Sequence, residues 1–158
     1  MILVDLSQIM MASTMMSMEK GQTEADVDFI RHMVLNSLRM YRTEYNEKYG
    51  ELVICCDSPH SWRREHFPQY KAGRRKGREG DKDFWNNVFI VLNKIRSEIK
   101  EYLPYKNLEV YGAEADDIIG VLIKDPKRWF SEKRMIISGD KTLGIPSLVS
   151  PFNICSFI

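Results

Sequence analysis

Cysteine, histidine and long apolar runs are all scarce in this chain of 158 residues, which has three cysteines and three histidines. The odd cysteine count, with Cys55 and Cys56 adjacent, argues against a disulfide framework and favours a reduced, cytoplasmic protein. No Cys or His cluster has the spacing of a zinc site. Apolar stretches such as LVICC are too short to cross a bilayer. The apolar start contains Asp5 and no preceding basic residue, so it is not interpreted as a signal peptide.

Net charge is also almost absent, at +1, but the charges are unevenly distributed. Seven basic residues and one acid lie between Trp62 and Arg78, whereas four acids and no base lie between Glu109 and Asp117. Strong local fields of opposite sign in a near-neutral chain indicate two different electrostatic roles.

Hydrophobic residues make up 44% of the chain and charged residues 28%, as in an ordinary globular domain. Buried-strand patterns at 2–5, 52–56, 108–110 and 135–138 alternate with helical patterns at 24–49, 81–103 and 113–123. Thr23 is the predicted N-cap of the first helix, and Gly50 its stop. The alternation predicts an α/β fold with a mostly parallel central sheet flanked by helices. Residues 58–80 are predicted to form a long basic excursion with one short helix.

Carboxylates follow the predicted strands or begin the last predicted helix, where ligand sites of parallel sheets lie. The six are Asp5, Asp57, Glu114, Asp116, Asp117 and Asp140. Such crowded charge needs neutralising, and oxygen-only ligands favour Mg²⁺, with Mn²⁺ able to substitute. Two such ions together can catalyse in-line displacement at phosphorus, and about two are therefore expected here. The acids at 114–117 equally suit the positive end of a helix dipole, and the two interpretations are compatible.

Aromatic residues alternate with cations in the basic excursion, as in surfaces that hold phosphates and unstacked bases. The alternative is a solvated surface loop. The candidate nucleic-acid-binding residues are Arg63, Arg64, Tyr70, Lys71, Arg74, Arg75, Lys76 and Arg78. A polyanion is repelled by an acidic metal site, so a nuclease needs such a separate cationic element.

Several segments of this chain resemble one family in sequence and in order. YKAGR (70–74), AEADDIIGVL (113–122) and ISGDK (137–141) are similar to the 5′-nuclease domain attached to bacterial DNA polymerases. VDLSQI, RHMVLNSL and CCDSPHSWRREHFPQYK resemble the ribonuclease H enzymes of T-even-like bacteriophages still more. The resemblance covers residues 1–141 and identifies a PIN-like 5′-nuclease core with a basic arch at 58–80.

The resemblance implies a 5′–3′ exonuclease and flap endonuclease with ribonuclease H activity, which removes RNA primers and 5′ flaps in DNA replication. Its substrates would be DNA and RNA–DNA hybrids with 5′ ends or flaps. A single-strand binding protein or a sliding clamp is an implied partner, and a monomer is expected. All six carboxylates match the family's metal-site positions. Tyr70, Lys71 and Arg74 match arch positions, where Lys71 and Arg74 would act on the scissile phosphate.

Two departures from the family pattern lie near the end of the sequence. Thr142 stands where the family has a second carboxylate after Asp140, which predicts that at least one metal ion binds weakly. Residues 142–158 do not resemble the family's helix–hairpin–helix region, which predicts a frameshifted or otherwise C-terminally truncated reading frame. A truncated, catalytically impaired remnant that only binds nucleic acid is therefore the alternative.

Two further enzyme classes share an acidic α/β core. A small PIN-like ribonuclease predicts no long basic arch, and residues 58–80 count against it. An aspartyl phosphatase needs a carboxylate two residues after the first Asp, and here that residue is Ser7.

Overall fold

The computed structural model describes residues 1–17, 25–124, 133–138 and 154–156. Its five strands are β1 (Ile2–Asp5), β2 (Leu52–Cys56), β3 (Lys106–Glu109), β4 (Met135–Ile137) and β5 (Ile154–Ser156). They form one sheet in the order β3-β2-β1-β4-β5. The first four pair in parallel, whereas β5 pairs antiparallel with β4. The predicted mostly parallel sheet is confirmed. Strand β5 lies in a segment for which no element was predicted.

The helices are α1 (Leu6–Ser17), α2 (Val27–Tyr49), α3 (Trp62–His66), α4 (Ala72–Lys76), α5 (Lys82–Tyr102) and α6 (Ala115–Lys124). Helix α1 was not predicted, because nearly all of its residues are apolar or small and no polar face marks its period. Its buried side chains include Leu6, Ile9 and Met10, which recur at helical spacing. Within the described ranges, no helix is long and apolar enough to span a membrane.

The predicted start of α2 was wrong by three residues. Its N-cap is Asp26, whose carboxylate accepts the backbone N–H groups of Asp28 and Phe29, both at 3.0 Å. Two orphan donors are thereby satisfied, which favours this cap over Thr23, a residue outside the described part of the chain. The helix ends at Gly50, as predicted, with a φ of 82° that favours glycine.

Two apolar clusters lie on opposite faces of the sheet. Successive residues of β1 point to opposite faces and so belong to different clusters. Ile2 and Val4 pack under α1, α2 and α5, whereas Leu3 packs under α6. Every residue of β1 and β2 is buried, as expected for strands covered on both faces. Cys55 and Cys56 are buried free thiols within β2.

The basic excursion between β2 and α5 contains more regular structure than predicted. It holds α3, α4 and a 3₁₀ turn (Glu79–Asp81) rather than one short helix. Its start is tied to the loop after β3. The N–H of Ser58 donates to the carbonyl of Ala113, and that of Trp62 to Gly112, both at 2.9 Å. Gly112 has a φ of 81°, a conformation that glycine adopts without strain. These bonds hold the excursion beside the N-terminus of α6.

Candidate active site

Three elements meet at the carboxyl edge of the sheet. Asp5 is the last residue of β1 and pairs in register with Cys55, two residues before Asp57. The carboxylate of Asp57 accepts the backbone N–H of Ala115, the first residue of α6, at 2.8 Å. The end of β2 is thereby joined directly to the start of α6.

A cavity of about 500 Å³ opens at this edge. Four carboxylates and four cations are among its lining residues: Asp5, Asp57, Glu114 and Asp116, with Lys71, Arg74, Arg78 and Arg96. The structure therefore brings together four of the six predicted acids. Asp117 lies elsewhere, as described below, and Asp140 is outside the described residues.

Asp5 is the most buried acid of this group, with 4% of its surface exposed. Its carboxylate accepts the N–H of Gln8 at 3.1 Å and so caps the first turn of α1. Burial, followed by the negative charge of Asp57, raises the pKa of Asp5 to about 7. This is the expected response of a buried carboxyl that lies beside a second carboxylate.

Glu114 is held by the excursion. Its Oε2 accepts hydrogen bonds from the hydroxyl of Tyr70 at 2.9 Å and the ammonium of Lys71 at 3.0 Å. Burial raises the pKa of the Glu114 carboxyl, but these bonds outweigh it and the net pKa is lowered. Glu114 was expected in the first turns of the helix. Instead it precedes α6, where its carboxylate can reach the cavity.

Asp117 is not among the residues that line this cavity, and its carboxylate is bound by Arg63 of α3. Its two oxygens accept from the two terminal nitrogens of Arg63, each at 2.6 Å. It also accepts the N–H of Glu114 at 3.0 Å, which satisfies a donor at the start of α6. The bond with Arg63 is the main cause of the lowered pKa of Asp117. A metal-site role for Asp117 remains a prediction.

Two of the predicted nucleic-acid-binding residues, Arg63 and Tyr70, bind Asp117 and Glu114, and the others differ in position. Lys71, Arg74 and Arg78 line the cavity, whereas Arg64 and Lys76 are exposed outside it. Lys71 has a φ of 56°, an uncommon conformation for a residue other than glycine. The guanidinium of Arg78 lies over the rings of Trp85 and Phe89, at 4.8 and 5.0 Å from their centroids. The side chain of Arg75 is outside the described part.

The contribution of α5 to this cavity was not predicted from the sequence. Arg96, Trp85 and Phe89 all line it. Arg96 also pairs with Glu109 of β3 at 2.9 Å. No motif marks these residues, because the amphipathic pattern of α5 identifies only the face that packs on the sheet.

The residues present suit a hard divalent cation in donor type. Four carboxylates line the cavity, and its lining includes no His or Cys. In the described ranges, however, no three side chains of His, Cys, Asp or Glu lie close enough together to hold a metal ion. In this structure Tyr70 and Lys71 both donate to Oε2 of Glu114, an oxygen that a cation could otherwise use.

Comparison with known proteins gives a consistent result. Residues 1–150 match the family described as 5′-3′ exonuclease, N-terminal resolvase-like domain. The match extends past Thr142. Ribonuclease H of Enterobacteria phage T4 is 33% identical over 144 residues, which cover 87% of this chain and 46% of that protein. A thermostable DNA polymerase I of Thermus caldophilus is 35% identical over 83 residues, 52% of this chain and 9% of the polymerase.

Solved structures of bacteriophage T5 share the fold at 18% identity. The T5 5′-exonuclease with bound divalent zinc ions has a TM-score of 0.62 and matches 89% of this chain and 49% of its own. The T5 D15 flap endonuclease, in a complex with DNA and metal ions, has a TM-score of 0.61 over 88% and 48%. This chain thus spans less than half the length of these relatives. Through its 5′-3′ exonuclease N-terminal domain, the chain belongs to the 5′–3′ exonuclease family.

Proposed function

We propose that this chain is the nuclease core of a Mg²⁺-dependent 5′–3′ exonuclease and flap endonuclease, with ribonuclease H activity on RNA–DNA hybrids. One observation carries the proposal: four carboxylates and four cations line the same cavity at the carboxyl edge of the sheet. The names of the relatives, a ribonuclease H and a flap endonuclease, support it. The non-catalytic remnant is not favoured, because the carboxylate group is present and the family match covers residues 1–150.

Asp5, Asp57, Glu114 and Asp116 would hold the divalent ions, about two by analogy with phosphoryl-transfer sites. When bound, such ions supply a water of lowered pKa and positive charge for the phosphate oxygens. Mn²⁺ would substitute for Mg²⁺, since both take oxygen ligands. The family resemblance also predicts Asp117 and Asp140 as members of the site, whereas this proposal rests on the four acids that line the cavity.

The excursion would supply the cations that hold the strand. Lys71 is paired with Glu114 at 3.0 Å, so binding of a divalent ion by Glu114 would free its ammonium for a phosphate. Arg74 and Arg78 line the same cavity and extend this positive surface. Lys71 and Arg74 would thus stabilise the negative charge that develops at the scissile phosphate.

The test is cleavage of a DNA duplex with a labelled 5′ flap, and of an RNA–DNA hybrid with a labelled 5′ RNA end. We expect cleavage of both in Mg²⁺ or Mn²⁺ and none in EDTA, with recovery when the ion is returned. Binding of these substrates without cleavage, at millimolar Mg²⁺, would favour the nucleic-acid-binding remnant instead. A duplex without a free 5′ end is the matched control substrate.

Replacing Arg78 by alanine is expected to weaken substrate binding in a salt-dependent way. Arg78 lines the cavity, and each lost phosphate contact lowers the slope of log K against log salt by about 0.7–0.9. Fluorescence anisotropy in EDTA between 50 and 200 mM salt measures this slope. Lys94→Ala, an exposed cation of α5 outside the cavity, is the control. Equal slopes for both variants and the unmodified chain would argue against a phosphate contact at Arg78.

A replication role implies partners and a compartment. A single-strand binding protein or a sliding clamp would deliver the enzyme to lagging-strand flaps in the cytoplasm of the host cell. The support is the resemblance of the chain to phage and bacterial replication nucleases. A monomer is expected, because the sequence shows no heptad pattern.

A further inference from the structure

A second cavity, of about 790 Å³, lies at the opposite edge of the sheet from the carboxylates. Its lining residues come from the starts of the strands. Met1 precedes β1, Glu51 precedes β2, Lys106 begins β3, and Lys133 lies two residues before β4. It shares no lining residue with the candidate active site.

One wall of this cavity is apolar. Met1 and Val53 belong to the buried cluster under α6, and Leu108 and Leu122 pack against that cluster. The volume lies in the range of pockets that bury a small ligand, about 300–1,000 Å³, and is large enough for an apolar side chain or two. An apolar wall of this kind offers neither charge nor hydrogen-bond donors to an inorganic anion or a phosphate chain. It favours a ligand with a hydrophobic anchor.

The rim of the cavity is positively charged. Among the lining residues that the structure describes, three are lysines, Lys48, Lys106 and Lys133, and one is an acid, Glu51. The pair between Lys106 and Glu51, at 3.2 Å, involves side chains that are 72% and 75% exposed, so solvent screens it strongly. The ammonium of Lys48 lies 5.0 Å from the ring centroid of Tyr49, at the wall of the cavity. The net excess of cations is complementary to an anionic ligand.

We propose that this second cavity is a docking site for a short acidic peptide segment of a partner protein, anchored by one or two apolar side chains. The apolar side chains of the peptide would pack against the apolar wall, and the three lysines would pair with flanking carboxylates of the peptide. The site stands independently of the proposed nuclease activity, because none of its residues takes part in that chemistry.

Binding can be measured with a fluorescein-labelled probe peptide of four aspartates followed by leucine and phenylalanine. We expect a dissociation constant below about 100 μM at low salt, with affinity falling as salt rises. Control peptides replace the aspartates by serines or the two apolar residues by alanines, and each should bind at least about tenfold more weakly. Binding of the serine peptide equal to that of the probe would indicate a purely hydrophobic ligand and overturn the proposal.

The matched protein variants change charge only. Lys48→Glu with Lys133→Glu should weaken probe binding at least about tenfold, since both exposed lysines line the cavity. Lys82→Glu with Lys94→Glu makes the same change at exposed positions outside it and should leave binding unaltered. Methyl NMR should place the shifts at Val53, Leu108 and Leu122. No binding of the probe, equal losses in both variants, or shifts confined to the carboxyl edge of the sheet would each refute the site.

Discussion

Replacing Asp116 by asparagine is expected to lower the rate of 5′-flap cleavage about a thousandfold at saturating Mg²⁺. Asp116 lines the cavity with Asp5, Asp57 and Glu114, and its charge contributes to the raised pKa of Asp5. Asparagine keeps the size of the side chain but removes the anionic oxygen that a hard cation prefers. Single-turnover cleavage rates measure the effect. The unfolding midpoint in urea, followed by tryptophan fluorescence, should remain nearly unchanged.

The neighbouring substitution, Asp117→Asn, is the matched control and should behave in the opposite way. Asp117 is bound by both terminal nitrogens of Arg63 and by the N–H of Glu114. The substitution removes the negative charge of Asp117, so the partly buried guanidinium of Arg63 keeps only a neutral, weaker partner. We expect the free energy of unfolding to fall by about 1–2 kcal/mol. Cleavage by the folded fraction should fall by about tenfold or less, because the cavity keeps its four acids.

The two variants together decide which acid of the adjacent pair serves the metal site. An equal loss of cleavage in both would place Asp117 in the site as well, as the family resemblance predicts. Full activity of Asp116→Asn would show that the cavity described above is not the catalytic centre.

Replacing Asp5 by asparagine is expected to abolish cleavage while stabilising the metal-free protein. Asp5 is almost fully buried beside Asp57, and its pKa is raised to about 7. A carboxyl whose folded pKa lies above its unfolded value of 3.8 loses stability as pH rises from below 4 through 7. At pH 8 the penalty is complete, and the neutral amide should recover about 2–4 kcal/mol. The asparagine oxygen can still accept the N–H of Gln8 and cap α1.

Thermal unfolding in EDTA at pH 8 and pH 5 tests this expectation. The gain in stability from Asp5→Asn should be larger at pH 8 than at pH 5, because at pH 5 the folded protein holds Asp5 in its protonated, neutral form. Mg²⁺ should raise the unfolding temperature of the unmodified chain more than that of Asp5→Asn, since the substitution removes a ligand. Ser7→Ala, a neighbour that also lines the cavity but carries no charge, is the control. Destabilisation of Asp5→Asn at pH 8 in EDTA would show that burial and the neighbouring charge do not destabilise the ionised carboxylate.

Much of the fold was predictable because local patterns carry it. Continuous apolar runs that end on a carboxylate marked β1 and β2, and helical spacing marked α2 and α5. Helix α1 escaped prediction because its residues lack a polar face, and the N-cap of α2 was misplaced because several polar residues precede it. Such errors arise where several local solutions have similar energies and packing chooses among them.

By itself, the sequence determined that the chain is an α/β domain with acids at the strand ends, a separate basic segment and the ordered motifs of one nuclease family. These properties depend on residue type and spacing along the chain. Only the tertiary structure decided that Asp116, and not Asp117, lines the cavity, that Arg63 holds Asp117, and that Arg96 joins the site. The physical reason is that consecutive helical residues point about 100° apart, so the rotation of α6 against the sheet selects which acid faces inward. That rotation depends on contacts between residues far apart in sequence.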